Sequence, residues 1–235
     1  MLRHHPRVLG GLLLTAALVV SGGVGHATPE DALMPLEKYT TLKGRSLAST
    51  YRTRLLQFYT QIYNCLPWLD MHRGEFGFKR TPGSQDDDRY FSAWIYVDQR
   101  EDATFSALPQ DRRVSAMFSR YGVDMLRRMS ALTDIVDDSD VAGLSVALTW
   151  LKPGTSRPGR QAVNETFSLF IDKATALDFL AKRVSAEEFL NRAKFANLFD
   201  GQEAVGRVPI EIWEDSFNST YKATNYAPPK GITCP

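Results

Sequence analysis

The N-terminal segment sets the conditions under which the rest of this chain must fold. Arg3 and Arg7, with His4 and His5, precede an apolar stretch from Val8 to Val20. Ser21 to Val24 breaks that stretch, and Gly25-His26-Ala27 supplies small side chains before a cleavage site. A basic start, a short apolar run and a small-residue cut define a secretory signal peptide. The expected cut follows Ala27, with Val24 or Gly25 as alternative positions. A membrane-spanning helix needs about 20 apolar residues; this run is shorter, and glycines follow it at once. No cysteine lies near the cut, which argues against a bacterial lipoprotein. No later run is apolar enough to span a bilayer. The expectation is therefore a soluble exported chain, periplasmic or secreted, with a leader of bacterial type.

Removing residues 1–27 changes what the rest can be. Arg3 and Arg7 leave with the leader, so 26 basic residues face 27 acidic ones. A near-neutral chain lacks the basic excess of a general nucleic-acid binder. Residues 28–235 suffice for one sizeable domain. Three of the four histidines leave too, so only His72 remains. Zinc sites draw on several histidines or cysteines, and one histidine cannot supply the usual sets. No phosphate-binding glycine loop or dinucleotide fingerprint is present, so no metal and no cofactor is expected.

Export also decides how the two cysteines are read. In an oxidising compartment an even pair points to a disulfide. Cys65 closes a helical pattern, whereas Cys234 sits in an extended tail of about residues 216–235, rich in proline near its end. Such a tail frays unless tied down, and a Cys65–Cys234 bridge would tie it.

Periodicity gives the expected architecture. Leu47, Tyr51, Leu55, Phe58, Ile62 and Cys65 recur at three and four residues, the stripe of an amphipathic helix. Ser46 is its expected cap. A second long helix is expected from about Asp111 to Val136, with Val114, Phe118, Tyr121, Met125, Met129, Leu132 and Val136 buried. Strands are expected at Glu75–Lys79, Tyr90–Asp98, Ala142–Lys152 and Val163–Ile171, the last two as a hairpin. Val205–Trp213 could add an edge strand. Shorter helices follow at Ala174–Arg183 and Ala186–Ala193, the latter with a capping box of Ser185 and Glu188. The sum is a single α+β domain: an antiparallel sheet of about three to five strands against two long helices.

Candidate chemistry is sparse. His72 could act as a general base oriented by Asp70 or Glu75, with a nucleophile that sequence does not identify. Asp86-Asp87-Asp88 and the Asp134–Asp140 run are dense in carboxylates, yet neither fits a calcium-loop frame; both read as solvated loops. Arg113, Arg120 and Arg127 recur every seven residues on the second helix and could face an anionic partner. Asn164 and Asn218 fit the glycosylation pattern, which a bacterium need not use. The reading that follows is a non-enzymatic binding or accessory protein of the bacterial envelope. Its partner would be an envelope or secreted protein, or an anionic envelope component. Two alternatives are a hydrolase of envelope polymers, using His72 or paired carboxylates, and a small-ligand or lipid carrier.

Overall fold

The computed structural model describes residues 28–97, 103–155, 163–199, 202–204, 208–213 and 230–234. The leader with its cut after Ala27, Asn218 and most of the C-terminal tail lie outside these residues. The chain enters through a short helix, α1 (Pro29–Ala32), and a 3-10 turn (Leu36–Lys38). It then forms α2 (Leu42–Cys65), the longest helix. Leu47, Leu55, Phe58, Ile62 and Cys65 are buried along α2, as their spacing predicts. The helix starts a turn earlier than expected, because Thr41 rather than Ser46 caps it. The Thr41 hydroxyl accepts the Gly44 N–H at 3.2 Å, satisfying a donor that would otherwise have no intrahelical partner.

Three strands follow: β1 (Leu69–Met71), β2 (Gly77–Lys79) and β3 (Arg89–Val97). A single turn, α3 (Ala103–Ser106), precedes α4 (Gln110–Met117). A π-helical stretch, Phe118–Gly122, leads into α5 (Val123–Ser130), and α6 (Thr133–Val136) comes after it. The long hairpin is β4 (Val141–Leu151) and β5 (Asn164–Asp172). Helices α7 (Lys173–Leu180) and α8 (Ala186–Arg192) then return to β6 (Lys194–Phe199) and β7 (Gln202–Ala204).

The α+β class holds, but the sheet is mixed rather than antiparallel and larger than three to five strands. Its order is β1-β3-β4-β5-β6-β7, with β2 also paired to β3. Strands β3 and β4 run parallel in the middle of it, and the other pairs are antiparallel. A parallel pair needs a crossover of a dozen or more residues, and α4 through α6 lie in that crossover. Strand β6 falls where no strand was expected. Residues 208–213 form no strand.

The second long helix is continuous from Gln110 to Ser130 but carries a π-helical turn and ends before Val136. Gly122 explains the change. A Cβ there would come within 2.4 Å of the Phe118 ring, so the glycine makes room for a π-turn that swings Phe118 inward. Phe118 packs edge-on against Phe167 of β5 and stacks near Phe189 of α8. On the other side of the crossover, Phe58 of α2 meets Phe91 of β3. These contacts place α2, the π stretch and α8 against one sheet face, built from Phe91, Ala93, Ile95, Leu144, Val146, Leu148, Phe167 and Leu169. Burying each large apolar side chain of this kind contributes about 1.5–3 kcal/mol.

Ser185 caps α8, its hydroxyl accepting the Glu188 N–H at 3.1 Å, while the Glu188 carboxylate pairs with Arg192, so the N-cap half of the expected capping box is what forms. Ser185→Ala is expected to cost about 1 kcal/mol in a denaturant titration. An unchanged midpoint would show that packing alone holds this helix.

Candidate functional site

The second face of the sheet has a different chemistry. Alternation puts Tyr90, Ser92, Trp94 and Tyr96 of β3 beside Gly143, Ser145, Ala147 and Thr149 of β4, and these beside Phe170, Ser168 and Thr166 of β5. Hydroxyl groups and aromatic rings therefore share this face. The Trp94 indole N–H donates to Thr149 Oγ1 at 2.8 Å, and Thr149 shares a 2.8 Å hydrogen bond with Thr166. Tyr90 and Phe170 meet edge-on at 5.5 Å above Gly143. A side chain at 143 would collide with the Ile171 carbonyl at 2.0 Å and with the Tyr90 ring, so a glycine is needed where these rings close. Beside them the Ser145 hydroxyl is buried with no hydrogen-bond partner among the described residues.

His72, Asp70 and Glu75, picked out from sequence, converge at the Trp94 end of this face. The His72 ring lies 4.9 Å from the Trp94 ring and 6.5 Å from Tyr96. Lys79 places its ammonium 5.1 Å from the Trp94 centroid, within cation–π range. No hydrogen bond among the described residues joins a carboxylate to the imidazole, however. Asp70 accepts the Tyr59 hydroxyl at 3.0 Å. Glu75 is ion-paired with Lys79, and Lys38 stands 3.7 Å away on its other oxygen. His72 Nε2 is buried with no hydrogen-bond partner among the described residues.

Burial lowers the His72 pKa, against the opposing pull of Glu75 and Asp70 and with a minor push from Lys79. The sign of the consequence follows directly. Below the ordinary value near 6.5 the unfolded chain takes up a proton that the folded site resists. The stability is thus present above that pH and is lost as pH falls toward the depressed folded value. Melting temperature measured from pH 7.5 down to 5 should drop less steeply in His72→Gln than in the wild type. Superimposable slopes would show that His72 is not desolvated. Lys79 is shifted downward as well, by burial first, with Glu75 opposing.

The arginine stripe is corrected. Arg113 is 9% exposed and faces the sheet rather than a partner. Its Nε donates to Glu165 Oε2 at 2.9 Å, its Nη2 pairs with Glu165 Oε1, and the Trp150 indole N–H donates to the same carboxylate at 2.8 Å. Arg127 remains exposed, 3.7 Å from Asp124. Arg120 is half-buried. Between them, Arg128 holds Asp124 at 2.7 Å. The seven-residue spacing therefore does not make one exposed surface.

The acidic segments are also more engaged than solvated loops. Asp138 accepts the Tyr51 hydroxyl at 2.8 Å, and its carbonyl accepts Lys173 Nζ at 2.7 Å. Desolvation, then the Asp138 hydrogen bond, push Tyr51 up to about 12. Arg54 pairs with Asp134 at 3.3 Å. Asp87 is bonded to Arg89 at 2.6 Å, and that arginine reaches Thr41 at 2.7 Å. Hydrogen bonds from Thr41 and Arg89 outweigh desolvation and hold the Asp87 carboxyl below its usual range. Asn164 is exposed at the start of β5. Among the described residues there is no group of three or more His, Cys, Asp or Glu side chains that could hold a metal ion.

Cys65 and Cys234 form a disulfide, with Cα atoms 5.5 Å apart. No described helix is long and apolar enough to cross a membrane. Both features are compatible with an extracellular location. Sequence reasoning missed Trp94, Lys79, Thr149 and Thr166. Their signal lay in the polar half of each strand's alternation, which places them on a common face only once the register is known. Comparison with known proteins finds no matching family model, no similar curated protein and no matching solved structure.

Proposed function

We propose that this chain is an exported, non-enzymatic binding or accessory protein of the bacterial envelope, periplasmic or secreted, that engages its partner on the Trp94 face of the sheet. One observation carries the reading. At the margin of the second sheet face His72, Lys79, Trp94 and Tyr96 are partly exposed around the Trp94 ring, whereas Tyr90, Ser92, Ser145, Thr149, Thr166 and Phe170 of the same face are buried. Rings that offer a flat apolar surface beside hydrogen-bonding groups are the usual makings of a recognition surface. The apolar surfaces of envelope sugars and peptides could rest on Trp94, with Lys79 and His72 at the margin for polar or anionic groups.

The hydrolase reading has less support. The two carboxylates nearest His72 in sequence are committed to Tyr59 and to lysines, and among the described residues neither is hydrogen-bonded to the imidazole. A lipid carrier needs a large enclosed apolar cavity, whereas the core between sheet and helices is a contiguous aromatic and aliphatic cluster among the described residues. A sedimentation assay with purified envelope fragments tests the proposal. The mature chain should pellet with them, and Trp94→Ala, compared at equal folded fraction because it also releases the Thr149 hydroxyl, should reduce the bound fraction about tenfold. Release of soluble fragments by the wild type, lost in His72→Gln, would instead establish a hydrolase. Equal pelleting of wild type and Trp94→Ala would remove the Trp94 face from the proposal.

A further inference from the structure

The loop between β2 and β3 carries a second feature, at the Phe170 end of the sheet face that holds Trp94. Strand β2 lies at the β3 side of the sheet, yet residues 81–84 share a cavity with Phe170 of β5 and with Lys194 and Phe195 of β6. The loop therefore reaches across the end of the sheet. Its φ of +73° at Gly83 suits a glycine, since other residues rarely adopt that conformation. The cavity between this loop, the end of α8 and the start of β6 has a volume of about 520 Å³. That lies within the range of small-molecule sites.

Its lining is divided by chemistry. Phe170, Leu190 and Phe195 supply apolar surface. Ser84, Asn191 and Lys194 supply the polar groups. The Ser84 oxygen accepts the Asp86 N–H at 3.2 Å, which leaves its own proton to donate. Among the described lining residues Lys194 is the only charged one. The nearest acid in the loop, Asp86, is exposed and gives its backbone N–H to Ser84, and Asp87 is drawn to Arg89 and the start of α2. A cationic group over an apolar floor, with hydroxyl and amide donors beside it, complements a carboxylate on an apolar body.

We propose that this cavity binds a small organic monocarboxylate, its aryl or short aliphatic body against Phe170, Leu190 and Phe195 and its carboxylate at Lys194 and Ser84. The probes are 3-phenylpropionate, its neutral amide and 3-phenylpropylamine. Each is titrated into the oxidised mature protein at low ionic strength and followed by ligand-observed NMR. A ligand of this size is expected to bind in about the millimolar range. The carboxylate should bind about three- to tenfold more tightly than the amide, and the amine more weakly than either.

Lys194→Gln should remove the preference for the carboxylate over the amide. Asn191→Trp should block all three probes by filling the cavity from α8, and Ser84→Trp should do so from the opposite wall. All three positions are at or near the surface, and unchanged melting temperatures confirm that the variants fold. Three results would each overturn the proposal: equal affinity for carboxylate and amide, a preference that survives Lys194→Gln, or no carboxylate binding at probe saturation. Carboxylate binding that persists in both tryptophan variants places the ligand elsewhere and overturns it too.

Discussion

Glu165→Ala should lower the unfolding free energy by about 3–5 kcal/mol, the cost of leaving one partner of a buried ion pair alone. Glu165 is 1% exposed and accepts from both Arg113 and Trp150. Removing the carboxylate leaves a guanidinium and an indole N–H inside the protein without an acceptor. Arg113 retains one bond, from Nη1 to the Leu108 carbonyl at 2.5 Å, which does not offset a lost counter-charge. The double variant Arg113→Met with Glu165→Leu should recover much of the loss, because it removes the charges together. Urea titrations of both variants provide the check. A single variant that costs less than about 1 kcal/mol would mean that water reaches the pair, since exposed pairs contribute that little.

Reducing the disulfide should cost about 2–5 kcal/mol, the usual range for a native bridge in a small secreted domain. Cys65 and Cys234 are 169 positions apart, so the bridge restrains almost the whole unfolded chain. Loop-closure entropy rises only slowly with length, which keeps the expected gain near the top of that range rather than beyond it. Cys65→Ser with Cys234→Ser, unfolded beside oxidised and reduced wild type, should match the reduced protein. Coincident curves for all three would show that the bridge restrains nothing the fold needs.

Much of this was legible in the sequence, and the failures have physical causes. The buried stripe of α2 was visible because a helix repeats its face every three to four residues. Strand positions at β3, β4 and β5 were visible for the analogous reason. Strand direction was not, because alternation reports the pleat and is the same for parallel and antiparallel neighbours. The order of strand, helices and strand from Tyr90 to Leu151 was the available clue to a crossover. His72, Asp70 and Glu75 lie within six residues, so their proximity was readable. That Asp70 would go to Tyr59 and Glu75 to Lys79 depended on a register that sequence does not display. Arg113 misled because a seven-residue repeat was read onto a regular helix, and the π stretch after Met117 breaks that regularity.

The parallel seam between β3 and β4 has a consequence for how the chain assembles. On one side of it, β1 and β2 pair with β3 over short separations; on the other, β4 pairs with β5 and β5 with β6. Each half can form from near neighbours. The seam cannot, since everything between Val97 and Val141 must be looped out before the strands align. It therefore raises the contact order of the fold and sets its slow step, as non-local strand pairing does generally. Until the seam closes, the facing edges of β3 and β4 stand unpaired. At that stage the protein is most open to mispairing with another copy of itself.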